Sequence, residues 1–138
     1  MPSTQSVKKL TTQSEAVIRF IQQMDPEMLD LLLDDSRTYQ DFTKQVFLSK
    51  LGRAFEEFRR AGDSCLNIYR GKCCSAACGL NRGGYSFVGN DSGYYMDLII
   101  RVRKGIVQDI YECHSFNIKQ EPPARGKKIR IDDPSDVF

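Results

Sequence analysis

The chain has no tryptophan and, in 138 residues, a single histidine, His114. One imidazole excludes a multi-histidine metal centre and ties any histidine base to one position. No apolar run approaches the ~18 residues that a membrane span needs, so no membrane partner is expected. Net charge is only +2, too little for long-range attraction to nucleic acid or an acidic membrane surface. No established catalytic or nucleotide-binding motif occurs. Lys8 and Lys9 are not followed by an apolar stretch, so no secretory signal is expected. The five cysteines are an odd count, which argues against a disulfide framework and for a reducing cytoplasm.

What is present has an order. Residues 14–61 carry helical periodicity and residues 64–118 read as strand and turn, with Gly62 between them. Helices segregated from strands predict a single α+β domain, in which N-terminal helices pack on a curved antiparallel sheet. A 41% hydrophobic content with 28% charged residues suits one globular core over residues 14–118. Residues 1–13 are polar and aperiodic and predict a disordered tail, as do residues 119–138, where Pro122-Pro123, Arg125 to Lys128 and Asp132-Asp133 leave little to bury.

Ser14 is expected to cap a first helix through Ala16, Val17, Phe20, Ile21 and Met24. Asp25-Pro26 opens a second, short one. Residues 41–61 form the longest, closed by Gly62, with Phe47, Leu51, Ala54, Phe55 and Phe58 as its apolar stripe. Between them, residues 37–40 fit either a short extended piece or the start of the third helix. In residues 94–103, Met96, Leu98, Ile100 and Val102 share one strand face, and Tyr95, Asp97, Ile99 and Arg101 the other. Asn90 to Gly93 and Lys104-Gly105 are turns, the second closing an antiparallel hairpin.

Three stretches carry a resemblance: Met28 to Asp35 leading to Thr38-Tyr39, the long helix to Gly62, and the hairpin from Asp97 through Lys104-Gly105 to Glu112. Together they resemble the nuclear transport factor two-like superfamily of cone-shaped α+β domains, which includes the SnoaL-like proteins. The likeness lies in pattern and order. It implies a funnel-shaped cavity between helices and the concave sheet face, and often a homodimer through the sheet. The family spans enzymes and non-enzymatic binding modules, so fold does not fix function.

If such a cavity exists, the residues expected to line it are Tyr39, Phe55, Phe58, Tyr85, Tyr95, Asp97 and Tyr111, with Asp109 also near. The leading expectation is a domain binding a small apolar ligand or a protein partner. The alternative is an isomerase, dehydratase or cyclase acting on an apolar carbonyl compound. Asp41 or Asp97 would be its carboxylate base, and Tyr39 would support an oxyanion. A bland reading pairs Asp97 with Arg101 on an exposed face. A third reading is a zinc-stabilised interaction module. Cys73, Cys74, Cys78, Cys113 and His114 would be its ligands, although their spacing is not that of a Cys-x-x-Cys site. No cofactor is favoured, and the Gly79 to Gly84 loop lacks the strand–loop–helix context of a phosphate cradle.

Overall fold

The computed structural model describes residues 12–73, 84–113, 116–118 and 126–132, with main chain only at 72–73 and 116–118. Helix α1 spans Gln13–Gln22, α2 Pro26–Leu32 and α3 Lys44–Arg60. Strands β1 (Thr38–Tyr39) and β2 (Phe42–Thr43) form a two-stranded hairpin. Strands β3 (Leu66–Cys73), β4 (Gly84–Gly89), β5 (Tyr95–Arg103), β6 (Ile106–Glu112) and β7 (Phe116–Ile118) form an antiparallel sheet in the order β6-β5-β4-β3-β7. The α+β class read from the sequence is the observed one, and the helices precede the sheet.

Helix ends follow local chemistry. The cap of α1 is Thr12, not Ser14: its hydroxyl accepts the Glu15 amide while the Glu15 carboxylate accepts the Thr12 amide, a reciprocal capping box. Ser14 instead donates its amide to the Gly105 carbonyl at 2.9 Å, which seats α1 on the β5–β6 turn. Asp25 caps α2 ahead of Pro26, as expected. Helix α3 begins at Lys44 rather than Asp41, because Gln40 and Asp41 hold φ of 51° and 65° and turn the chain into β2. Thr43 then supplies the cap. Gly62, at φ 103°, ends α3 with its amide on the Arg59 carbonyl and the Asp63 amide on that of Phe58.

The sheet is bent. β6 and β7 lie on opposite edges, four strand spacings apart, a distance of ~19 Å across a flat sheet. Only residues 113–115 join them, and four residue steps reach at most ~15 Å. The sheet must therefore curl for the chain to make that connection.

The core lies between α3 and one sheet face. Phe47, Leu51, Phe55 and Phe58 from α3 meet Leu66, Phe87, Met96, Leu98 and Ile110, all fully buried. Each such side chain contributes roughly 1.5–3 kcal/mol of burial. A second, small cluster of Ile99, Cys113 and Tyr111 sits on the opposite sheet face.

One expectation is corrected outright. The stretch from residue 119 onward does not stay wholly in solvent: residues 126–132 are docked, with Ile129 at 1% and Ile131 at 0% exposure inside the main core. Two isoleucines at alternate positions are enough to anchor a short extended piece whose backbone finds partners. No helix among the described residues is long and apolar enough to cross a membrane.

Candidate functional site

Strand alternation separates the residues expected to share a cavity. Met96, Leu98 and Ile100 face α3, so Tyr95, Asp97 and Ile99 point to the other side of the sheet. Tyr111 stands opposite Ile99 and joins them there. Tyr85, opposite Leu98, is on the helix side with Phe55, Phe58 and Tyr39. The seven expected lining residues therefore divide between two faces.

On the helix side the expected lining residues are packed into the core. Phe55, Phe58 and Tyr39 have no exposed surface and Tyr85 is 8% exposed. The Tyr39 ring lies 5.7 Å from that of Phe47, and its hydroxyl accepts the Asp34 amide at 3.0 Å. Burial raises the Tyr39 phenol above its ordinary pKa. Tyr85 packs 6.1 Å from Phe87, and the Arg70 guanidinium sits 5.3 Å from its ring and donates to its hydroxyl at 3.4 Å.

The two proposed carboxylate bases are elsewhere. Asp41 is exposed in the β1–β2 turn. Asp97, 4% exposed, lies across from Ser86 on the face turned from the helices. Neither carboxylate meets Tyr39 in the helix–sheet interior. Asp109 binds locally, its Oδ1 accepting the Gln40 amide at 3.0 Å and the Ile110 amide at 2.8 Å. Among the metal candidates, Cys74, Cys78 and His114 lie outside the described residues, and Cys73 is described in its main chain only. Cys113 is buried. Among the described residues no three His, Cys, Asp or Glu side chains converge on a common point.

Three polar clusters escape a reading of the sequence alone. Lys44, 6% exposed, donates to the Asp30 carbonyl at 2.9 Å and pairs with the Asp30 carboxylate at 2.7 Å and with Asp35. Those contacts raise the Lys44 pKa and, through Lys44 first, lower that of Asp30. Asp63, 4% exposed, accepts the Asp91 and Ser92 amides at 2.8 and 2.7 Å and the Ser92 hydroxyl at 2.6 Å. Both clusters tie loops to helix ends. The only hint of the first was the Asp30, Asp34, Asp35 run before a lysine.

The third cluster is built differently. Glu112, at the end of β6, accepts the Ile131 amide at 2.6 Å, the Asp132 amide at 3.1 Å and the Gln40 side-chain amide at 3.0 Å. It grips the backbone of residues 131–132 along with one side chain. Upstream, the Tyr95 amide donates to the Lys127 carbonyl at 3.0 Å and Ile129 donates to the Tyr95 carbonyl at 2.7 Å, a parallel pairing beyond the end of β6. The result is a seam between α3 and the sheet, filled by an extended segment.

Two surface hollows flank α3. One, about 450 Å³, is lined by Met24, Asp25, Pro26, Glu27 and Arg59, whose guanidinium donates to the Met24 carbonyl at 2.7 Å. The other, about 210 Å³, is lined by Glu57, Arg60, Tyr94 and Lys127. Neither lies in the helix–sheet interior. No family model, no curated protein and no solved structure matches this chain.

Proposed function

We propose that this chain is a non-enzymatic, protein-partner-binding domain on the nuclear transport factor two-like plan, in which the helix–sheet interior is core and not a ligand chamber. The observation that carries this is the complete burial of Phe55, Phe58 and Tyr39 among Phe47, Met96 and Leu98. A receptacle for a small apolar molecule needs unfilled space with a few convergent polar groups. The element order, the bent sheet and the long α3 beneath it support the superfamily assignment. The separation of Asp41 and Asp97 from Tyr39 removes the motive for a carboxylate-base enzyme.

The odd count of five cysteines supports a reducing, cytoplasmic setting. A homodimer through the sheet has less support, because Val88, Ile99 and Cys113, on the face turned from the helices, are already buried within one chain.

The reading is tested by titrating the full chain with a panel of small apolar carbonyl and aromatic compounds while following melting temperature and side-chain methyl resonances. No compound should shift the melting point or the Met96, Leu98 and Ile110 signals. In parallel, reversible crosslinking of the tagged chain in its own cells should recover a stoichiometric protein. A compound that binds at one per chain and perturbs those core methyls would overturn the reading and restore the receptacle.

A further inference from the structure

We propose that the seam between α3 and the start of β5 is a recognition groove for an extended strand of the pattern basic–Ile-x-Ile–acidic. Residues 126–132 occupy it from within the chain until a partner strand of that pattern displaces them. This rests on the partner-binding reading above and gives that partner a chemistry.

The groove reads a strand in three ways at once. Main-chain recognition comes from Tyr95, whose amide and carbonyl both bond to the segment, and from Gly93, whose carbonyl accepts the Gly126 amide at 2.7 Å. Glu112 takes the next two amides, those of Ile131 and Asp132, on its two carboxylate oxygens. None of these contacts depends on the side chains of the bound strand. That is how a sheet accepts an added peptide. Side-chain selection comes from the two sockets that hold Ile129 and Ile131, while Lys128 and Arg130 between and beside them lie outside the core.

Direction is fixed by charge along α3. Glu57, in the last turns of the helix, lies 3.5 Å from the Lys127 ammonium, and Lys50, nearer its start, lies 3.5 Å from the Asp132 carboxylate. A strand with a cation before and an anion after its two isoleucines matches both; the reversed strand meets like charges at each end. The Lys127 ammonium also lies 6.0 Å from the Tyr94 ring, beside the 210 Å³ hollow.

Nothing covalent holds the occupant except the chain itself. Its grip is two isoleucine side chains, two partly exposed ion pairs, a Lys128 ammonium bond to the Cys113 carbonyl at 3.2 Å, and backbone bonds, all of which a strand of the same pattern reproduces. Its sequence neighbours are strongly polar, with Pro122-Pro123 ahead of it.

The test uses the full chain carrying Ile129→Asp and Ile131→Asp, and a fluorescent peptide of residues 126–132 supplied in trans. The variant should keep its circular dichroism and bind the peptide at least tenfold more tightly than it binds the same peptide carrying aspartate at both isoleucines. The unaltered chain, with its groove filled, should bind the peptide at least tenfold more weakly than the variant does. A folded variant that ignores the peptide, or binds both peptides alike, overturns the proposal. Should the variant fail to fold, native-state hydrogen exchange on the unaltered chain decides. Amides of Ile129, Ile131 and Asp132 exchanging at least tenfold faster than those of Phe87 and Leu98 support a separable occupant. Exchange of all of them at one common rate makes the segment an inseparable part of the core and overturns the proposal. A small molecule found in the helix–sheet interior would leave these peptide measurements intact, so the two readings fail separately.

Discussion

The Gln13 side chain stands where a neighbouring peptide group would stand against Val107. Its Oε1 accepts the Val107 amide at 2.8 Å and its Nε2 donates to the Leu32 carbonyl at 2.8 Å, joining residues 94 positions apart. Farther along the same edge strand, Gln40 Oε1 accepts the Glu112 amide at 2.8 Å and Asp109 Oδ1 takes the Ile110 amide. Three N–H groups of β6, those of Val107, Ile110 and Glu112, are thus occupied by side chains of the same molecule. An open edge invites pairing with another chain, and these side chains close it.

Removing them should open it. Gln13→Ala with Gln40→Ala is expected to cost about 1 kcal/mol per lost acceptor. It should also make the sedimentation profile shift to larger species with increasing protein more strongly than the parent's does. A double variant that sediments as the parent does at every concentration would show that the edge needs no such cover.

Gly89 and Asp63 form a second close relationship. A Cβ at Gly89 would stand 2.0 Å from Asp63 Oδ2, well inside contact distance, and Asp63 cannot retreat without losing the Asp91 and Ser92 amides. Gly89→Ala should therefore destabilise by roughly 2–3 kcal/mol, within the range for overpacking a closed site. Asp63→Ala should cost a similar amount, because charge-assisted bonds to the 90–93 turn disappear. Urea denaturation gives both values. If Gly89→Ala is neutral, the close approach of strand and carboxylate is not obligatory.

Phe55 tests whether the interior is core. Phe55→Ala should cost roughly 3–5 kcal/mol through lost burial and an unfilled space. The same variant should acquire an apolar void that takes up benzene or xenon and so regains part of the lost melting temperature. A parent chain stabilised by benzene to the same extent would mean that the space was already there.

Much of the framework was legible because it is local. The stripe Phe47, Leu51, Ala54, Phe55, Phe58 announces α3 and its buried face, and Lys104-Gly105, with φ of 53° and 77°, announces the hairpin turn. The faces of β5 were legible as a division but not as a choice. Met96, Leu98 and Ile100 are apolar, but Ile99 and Tyr95 are also largely apolar, so alternation alone cannot say which set meets the helices. That choice depends on α3 packing from more than thirty residues upstream. Asp97 followed the wrong face for this reason. The docking of Ile129 and Ile131 was hidden for another: two apolar residues in a charged stretch make no periodic signal, and their partner, Glu112, lies 19 residues from Ile131 in sequence.

Lys44 links acid and alkaline stability through one ammonium. Its pKa is raised, by the hydrogen bond it donates to Asp30 first and to Asp35 next, so its contribution is complete below the ordinary lysine value. That contribution fades as pH climbs through the raised one. Asp30 is lowered, by Lys44 first, so its contribution is present above the ordinary aspartate value and fades as pH falls through the lowered one. Across the neutral range the pair is intact, and it weakens only toward both extremes. Lys44→Met keeps the buried stem but removes the charge. It should lower the melting temperature at pH 7 and flatten the dependence at both ends, since the ammonium titration is gone and Asp30 keeps only its bond from Gln45. Asp30→Asn should flatten mainly the acid side, because Asp35 still faces the ammonium. Thermal melts from pH 2 to pH 11 separate the cases, as roughly the span over which both groups titrate. A Lys44→Met chain whose profile parallels the parent's at acid and alkaline pH would show that this cluster contributes no pH-dependent stability.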